Sequence, residues 1–213
     1  MDPRPRAFDE SAAKGQDPMS GRLRVIVTGA GSGIGFACAS AFAARGAELV
    51  LVDNDPEKLS RAGGTLGAYS RFCDVVSVSS AAIFAREIEQ DFHGLEVLIN
   101  AAGTGYIRAL GMVCMARMLL PLLDKGRGAR LIVNLAPCRE RPAPHDLFPY
   151  AGSQRSFDQL SDAIAAQTRG TSIHVVKLCS GPRPEDIAER IVAMARKLRP
   201  SWVPTAEPGK RRA

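Results

Sequence analysis

The chain has 213 residues, 46% of them hydrophobic, enough to bury one substantial core and hardly two. It lacks both the run of roughly 18 apolar residues that a membrane helix needs and a basic-then-apolar leader, so a soluble cytoplasmic protein without membrane attachment is expected. The net charge of +6 divides into −1 over residues 1–20, +3 over 199–213 and +4 between them; spread thinly and without interleaved aromatics, it argues against a nucleic-acid face.

Residues 1–20 and the basic 199–213 are rich in Pro, Gly, Ser and charge and read as flexible tails around one domain, 21–198, with Met19 a possible natural start. The domain opens on Leu23–Val27, a β-branched run suited to a buried parallel strand. Thr28 to Gly35 then reads Thr-Gly-Ala-Gly-Ser-Gly-Ile-Gly, and an alanine-rich helix runs from Phe36 to Arg45, ending at Gly46. Glycines at a strand-to-helix turn let the backbone approach a pyrophosphate, whose charge meets unpaired N–H groups and the positive end of the helix dipole. Gly29, Gly33 and Gly35 are assigned that contact, with Ser32 and Ile34 completing the loop.

A second strand, Glu48–Val52, ends at Asp53, 18 positions after Gly35, where a carboxylate accepts hydrogen bonds from an adenosine ribose. Asp53 repels a 2′-phosphate. With Ser at position 32 and no Arg or Lys beside Asp53 in the sequence, nothing neutralises the extra charge of NADP, so NAD is the expected cofactor. An ordinary turn-forming Asp in Asp-Asn-Asp-Pro is the competing account. Further strands precede Cys73 and end at Asn100, and later ones cover Ala129–Leu135 and Ser172–Leu178. The helix Ala109–Leu123 is apolar nearly all round and must be covered on more than one side, by the chain's own core or by a second subunit. A last helix spans Pro184–Leu198. Alternating strands and helices predict an α/β fold, a doubly wound, Rossmann-like parallel sheet of order 3-2-1-4-5-6 with its ligand at the carboxyl ends of the strands. The five cysteines, Cys38, Cys73, Cys114, Cys138 and Cys179, never adopt Cys-x-x-Cys spacing, so neither disulfides nor a zinc site is expected.

The Thr-Gly-x-x-x-Gly-x-Gly turn, then Cys73-Asp74-Val75, then Leu98-Ile99-Asn100-Ala101-Ala102-Gly103, fall in the order that resembles the short-chain dehydrogenase/reductase family, from about Leu23 to about Ala195. The resemblance implies an adenine contact through Asp74 and Val75. It also implies that Asn100, Ala101 and Gly103 support the central strand beside the nicotinamide ribose, and that Ala109–Leu123 and the helix beginning near Tyr150 form a four-helix subunit contact. Met115 and Phe157 are expected at outward positions of these helices.

The family's catalytic segment implies a Ser 13 residues before a Tyr-x-x-x-Lys. This chain places Pro137 at the Ser position, Tyr150 at the Tyr and Gln154 at the Lys; Arg108 aligns with the Asn of the family's tetrad. Pro137 has neither hydroxyl nor N–H. Tyr ionises near pH 10, so about one part in a thousand is phenolate at pH 7 unless a cation helps, and neutral Gln154 supplies none. Arg108, Arg155 and His145 are the candidate substitutes, with a solvated surface His the default for His145. Almost nothing separates Gly181 from Pro184, where the family carries a mobile lid. The closing strand of the family is not evident, and Trp202 reads either as a subunit contact or as a cap on the core. Two functions follow: an NAD(H)-binding, catalytically impaired subunit that pairs with itself or an active paralogue, or an NAD-dependent alcohol/ketone oxidoreductase relying on Tyr150.

Overall fold

The computed structural model describes residues 22–137, 147–180 and 183–202, with the backbone alone for 105–106, 137, 147–151 and 180. The expected tails up to residue 20 and beyond 202, and the expectations for Cys138 and His145, lie outside the described residues. Six strands form one parallel sheet: β1 (Arg24–Thr28), β2 (Glu48–Asp53), β3 (Tyr69–Phe72), β4 (Val97–Asn100), β5 (Arg130–Pro137) and β6 (Ile173–Ser180), in the order β3-β2-β1-β4-β5-β6. Each pair runs parallel, with Val27 opposite Leu51 on one side and Ile99 on the other. Among the described residues six helices alternate with the strands: α1 (Gly33–Ala43), α2 (Pro56–Leu66), α3 (Val78–Asp91), α4 (Gly105–Asp124), α5 (Leu147–Gln167) and α6 (Pro184–Leu198).

Successive strand side chains serve opposite faces, and both faces are dry. Val25, Val27, Leu49, Leu51, Ile99 and Val133 point into one cluster, covered by α1, α2 and α6. Ile26, Val50, Val52, Leu98 and Ile132 point into the other, covered by α3, α4 and α5. This is why the strands read as continuous apolar runs and not as alternating ones. Trp202 is buried and stacks on Phe42 at 5.8 Å between ring centroids, so it caps the core of its own chain.

Three expectations need correction. The first helix starts at Gly33, inside the glycine motif, because Ser32 takes the extended N-cap conformation and the chain turns helical directly after it. Met115 and Phe157, expected to face outward, are 0% and 3% exposed and sit in the core between α4, α5 and the sheet. The apolar stripe of α5 faces its own sheet, and α4 is covered by the sheet, α3 and α5; among the described side chains of α4, Ile107 and Leu110 are the large apolar ones left in solvent. Both β5 and β6 run two residues further than expected, through Pro137 and Ser180, because their pairing is unbroken to the end.

At the other end of the sheet a buried carboxylate holds several elements together. Glu96, fully buried before β4, accepts hydrogen bonds from Arg24 N at 2.9 Å, Arg24 Nη2 at 2.6 Å and Arg127 N at 3.1 Å, and lies 3.6 Å from Arg199 Nη1 just past α6. Burial pushes the Glu96 carboxyl up, but the Arg24 hydrogen bonds and the surrounding charge prevail and hold it below the ordinary carboxylate range.

Candidate functional site

The carboxyl ends of β1, β2, β4 and β5 meet around the glycine turn. Gly29 has φ +66°, and a Cβ there would come 2.8 Å from the Ala102 Cα, so only glycine lets this turn lie against the one after β4. A Cβ on Gly35 would overlap the Gly29 carbonyl oxygen, which explains the third glycine as a packing requirement of the first helical turn. Gly33, by contrast, looks onto open space. Ser32 makes no side-chain cap bond, so the first N–H groups of α1 keep their donors available. An uncapped helix N-terminus behind a glycine turn fits a pyrophosphate, so these residues are suited to hold a dinucleotide.

Thr28 welds the two turns together, a role that no pattern in the sequence assigns to it. Its buried Oγ1 accepts from Ala101 N at 3.1 Å and from Ala102 N at 3.2 Å. Asp53, half-buried at the end of β2, accepts from Gly31 N at 2.9 Å and from Asp55 N at 3.0 Å, which braces the glycine loop while leaving lone pairs for a ribose. A basic side chain does stand near it in space: Lys58, one turn into α2, pairs with Asp55 at 2.7 Å, and Asp53 adds to the pull that raises its pKa behind the dominant bond to Asp55. Helical spacing carries Lys58 back over the loop, out of reach of a search along the sequence beside Asp53.

Asp74 caps its own turn, its Oδ1 accepting from Val76 N at 3.2 Å and its N–H donating to Ser80 Oγ at 3.0 Å. Val75 is buried, and a Cβ on Gly111 of α4 would meet it at 2.6 Å, so its side chain serves helix packing. Asn100 donates through Nδ2 to Asn134 Oδ1 at 2.9 Å, and Asn134 donates in turn to Ser161 Oγ at 2.8 Å. All three are buried, and Asn100 Oδ1 has no acceptor role filled among the described residues. Gly103 has φ +80° and abuts the backbone of Arg108.

Of the residues at catalytic positions, Tyr150 lies in the first turn of α5 and Pro137 at the last position of β5, and for both the side chains lie outside what is described. Gln154 Nε2 reaches Asp158 Oδ2 at 3.5 Å along the helix. Arg108 Nη1 donates to the Leu135 carbonyl at 2.9 Å, near the carboxyl end of β5. Residues 181–183 connect β6 to α6.

A parallel sheet of this order, with a glycine turn leading from β1 into α1, defines a Rossmann-like nucleotide-binding architecture. Residues 24–195 match the short chain dehydrogenase family, and the chain belongs to that family. A D-threitol dehydrogenase of Mycolicibacterium smegmatis is 31% identical over 173 residues, covering 70% of this chain and 66% of that protein, so this chain spans just under two thirds of its length. Among solved structures, a metagenomic short-chain oxidoreductase in complex with NADP superposes with a TM-score of 0.75 at 23% identity, over 90% of this chain and 99% of that one. A short-chain dehydrogenase/reductase from Burkholderia phymatum in complex with NAD gives 0.66 at 24% identity, over 84% and 79%. At these identities the two crystal structures speak to the fold. Among the described residues no helix is long and apolar enough to cross a membrane.

Proposed function

We propose that the chain binds NAD(H) through a unit of residues 21–198 and transfers hydride poorly or not at all by itself, acting as a nucleotide-holding subunit beside a second copy or an active relative. The observation that carries it is a contrast within one site. The uncapped N-terminus of α1, the Gly29–Ala102 contact and the Asp53 brace support the reading of a nucleotide cradle. Beside it, the positions that resemble the family's proton-transfer residues hold Arg108, Pro137 and Gln154. In this reading Gly29, Ser32, Gly33, Ile34 and Gly35 take the pyrophosphate, Asp53 the adenosine ribose, Asp74 and Val75 the adenine, and Asn100, Ala101 and Gly103 the nicotinamide side.

NAD is favoured over NADP because the Asp53 carboxylate opposes a 2′-phosphate, while the Lys58 ammonium is already engaged by Asp55. Both cofactors occur in the structural relatives, so affinity for each decides the matter. A second reading, an active NAD-dependent alcohol or ketone oxidoreductase, draws on the Arg108 guanidinium as a replacement cation for Tyr150; the D-threitol dehydrogenase relative makes polyols the first substrates to try. Calorimetry with NAD, NADH and NADPH, followed by turnover assays of the isolated chain with threitol and simple alcohols, tests both. The expected outcome is NADH binding at least about tenfold tighter than NADPH, a difference of about 1.4 kcal/mol, and no turnover above background. Robust turnover that disappears in Tyr150→Phe refutes the impaired reading and establishes the second.

A further inference from the structure

The Arg108 guanidinium is drawn toward the ligand end of the sheet, and its surroundings differ from those of the arginines that pair with carboxylates. Arg24 and Arg199 face Glu96, and Arg45 pairs with Glu189 at 2.8 Å. Arg108 faces no carboxylate among the described residues. Its Nη1 donates to the neutral Leu135 carbonyl, its Nε is sealed from solvent without an acceptor, and burial alone lowers its pKa from the ordinary value, with no charged group contributing. An arginine keeps its charge under such a shift, so the fold holds a half-buried cation whose Nε has no acceptor among the described residues. Natural interiors compensate a buried charge, and here no described residue supplies the compensation.

The location says what kind of group supplies it. The backbone of Arg108 abuts Gly103, the preceding Ala102 abuts Gly29 of the nucleotide turn, and the guanidinium reaches Leu135, two residues before the end of β5. Arg108 therefore stands on the nicotinamide side of the cradle, next to Ala136 and Pro137, which offer no side-chain donor. A planar fork of N–H groups is matched by a carboxylate, which accepts two of them in parallel.

We propose that Arg108 anchors the carboxylate of a small organic acid bound beside the nucleotide, so that the second ligand of this site is an anion and not a neutral polyol. The assignment rests on the nucleotide-binding reading for its placement. Acetate, lactate and benzoate, each paired with its amide, are titrated calorimetrically into the full chain with and without saturating NAD. At least one acid is expected to bind about tenfold or more tightly than its amide, the preference to vanish in Arg108→Gln and to persist in part in Arg108→Lys, and NAD affinity to stay within about threefold of the parent. If the Gln variant does not fold, the acid-to-amide ratio of the parent and of the Lys variant still decides. Equal binding of acids and amides, or an acid preference that survives Arg108→Gln, overturns the proposal. So does a Gln variant that loses NAD affinity when no acid is present, since the guanidinium then serves the cofactor. Acid binding with no NAD binding leaves the anchor standing and removes the nucleotide reading.

Discussion

Replacing Glu96 by Gln keeps the shape of the side chain and removes its charge. In the parent the carboxylate is fully buried and accepts from Arg24 N, Nε and Nη2 and from Arg127 N, with Arg199 at its edge. Gln retains one acceptor oxygen and turns an NH₂ group toward the arginines. Two of the hydrogen bonds are therefore lost or reversed, and the guanidiniums of Arg24 and Arg199, 12% and 11% exposed, lose the carboxylate they share. Removing one partner of such a buried pair costs about 3–5 kcal/mol, which for a domain of this size lowers Tm by about 6–20 °C. Thermal unfolding followed by circular dichroism at pH 7 reads this directly. The pH dependence is a second check. Because the folded Glu96 pKa is below the reference value of 4.5, its contribution is complete above that value and is lost as the pH falls through the lower folded value. The gap between parent and variant should stay constant at neutral pH and narrow only below 4.5. Glu48, raised mainly by burial, moves the opposite way; it is present in both proteins, and only the smaller part of its rise that comes from Glu96 differs between them. A Gln variant within about 1 kcal/mol of the parent, or a gap indifferent to acid, would refute the assignment of Glu96 as the charge that holds these elements together.

Gly35→Ala forces a Cβ onto the Gly29 carbonyl and should abolish NADH binding with a loss of about 1–3 kcal/mol in stability, whereas Gly33→Ala meets open space and carries only the positive-φ penalty of roughly 1 kcal/mol; parallel binding and urea titrations separate them. Asp53→Ala should reduce the preference for NADH over NADPH by about tenfold and loosen the loop, and an unchanged ratio in calorimetry dismisses the ribose contact. Met115→Glu buries a charge at a site with 0% exposure and should unfold the chain, while Leu110→Glu, at 56% exposure, should leave it folded. Light scattering of the Leu110 variant then tells whether the exposed edge of α4 joins subunits: a parent oligomer that falls to monomer supports the contact, and an unchanged oligomer excludes it.

The sheet was legible because its strands are buried on both faces, so that Val25–Val27, Leu49–Val52 and Leu131–Leu135 stand out as apolar runs between glycine and helix signals. The glycine turn was legible because each glycine answers a steric demand of the backbone itself. Side-chain direction was harder to read. Met115 and Phe157 were misplaced because a helix apolar on several sides gives no sign of which side meets solvent, and the packing of α3 and α5 around α4 decides it. The spatial neighbourhood of Asp53 is not legible in the sequence because Lys58 arrives through a helical turn. Nothing in the sequence pairs Arg108 with Leu135, since that contact exists only once α4 lies over β5.

Residues 187–202 complete one side of the molecule, and in the sequence they follow all six strands of the sheet. Until they emerge, β1, β4 and β5 present an uncovered apolar face beside α1, Phe42 lacks its stacking partner Trp202, and Glu96 lacks Arg199. At a synthesis rate of roughly 5–20 residues per second, the stretch between Glu96 and Arg199 takes about 5–20 s to appear. For that interval the nascent chain holds its glycine turn on a sheet with one apolar face still bare.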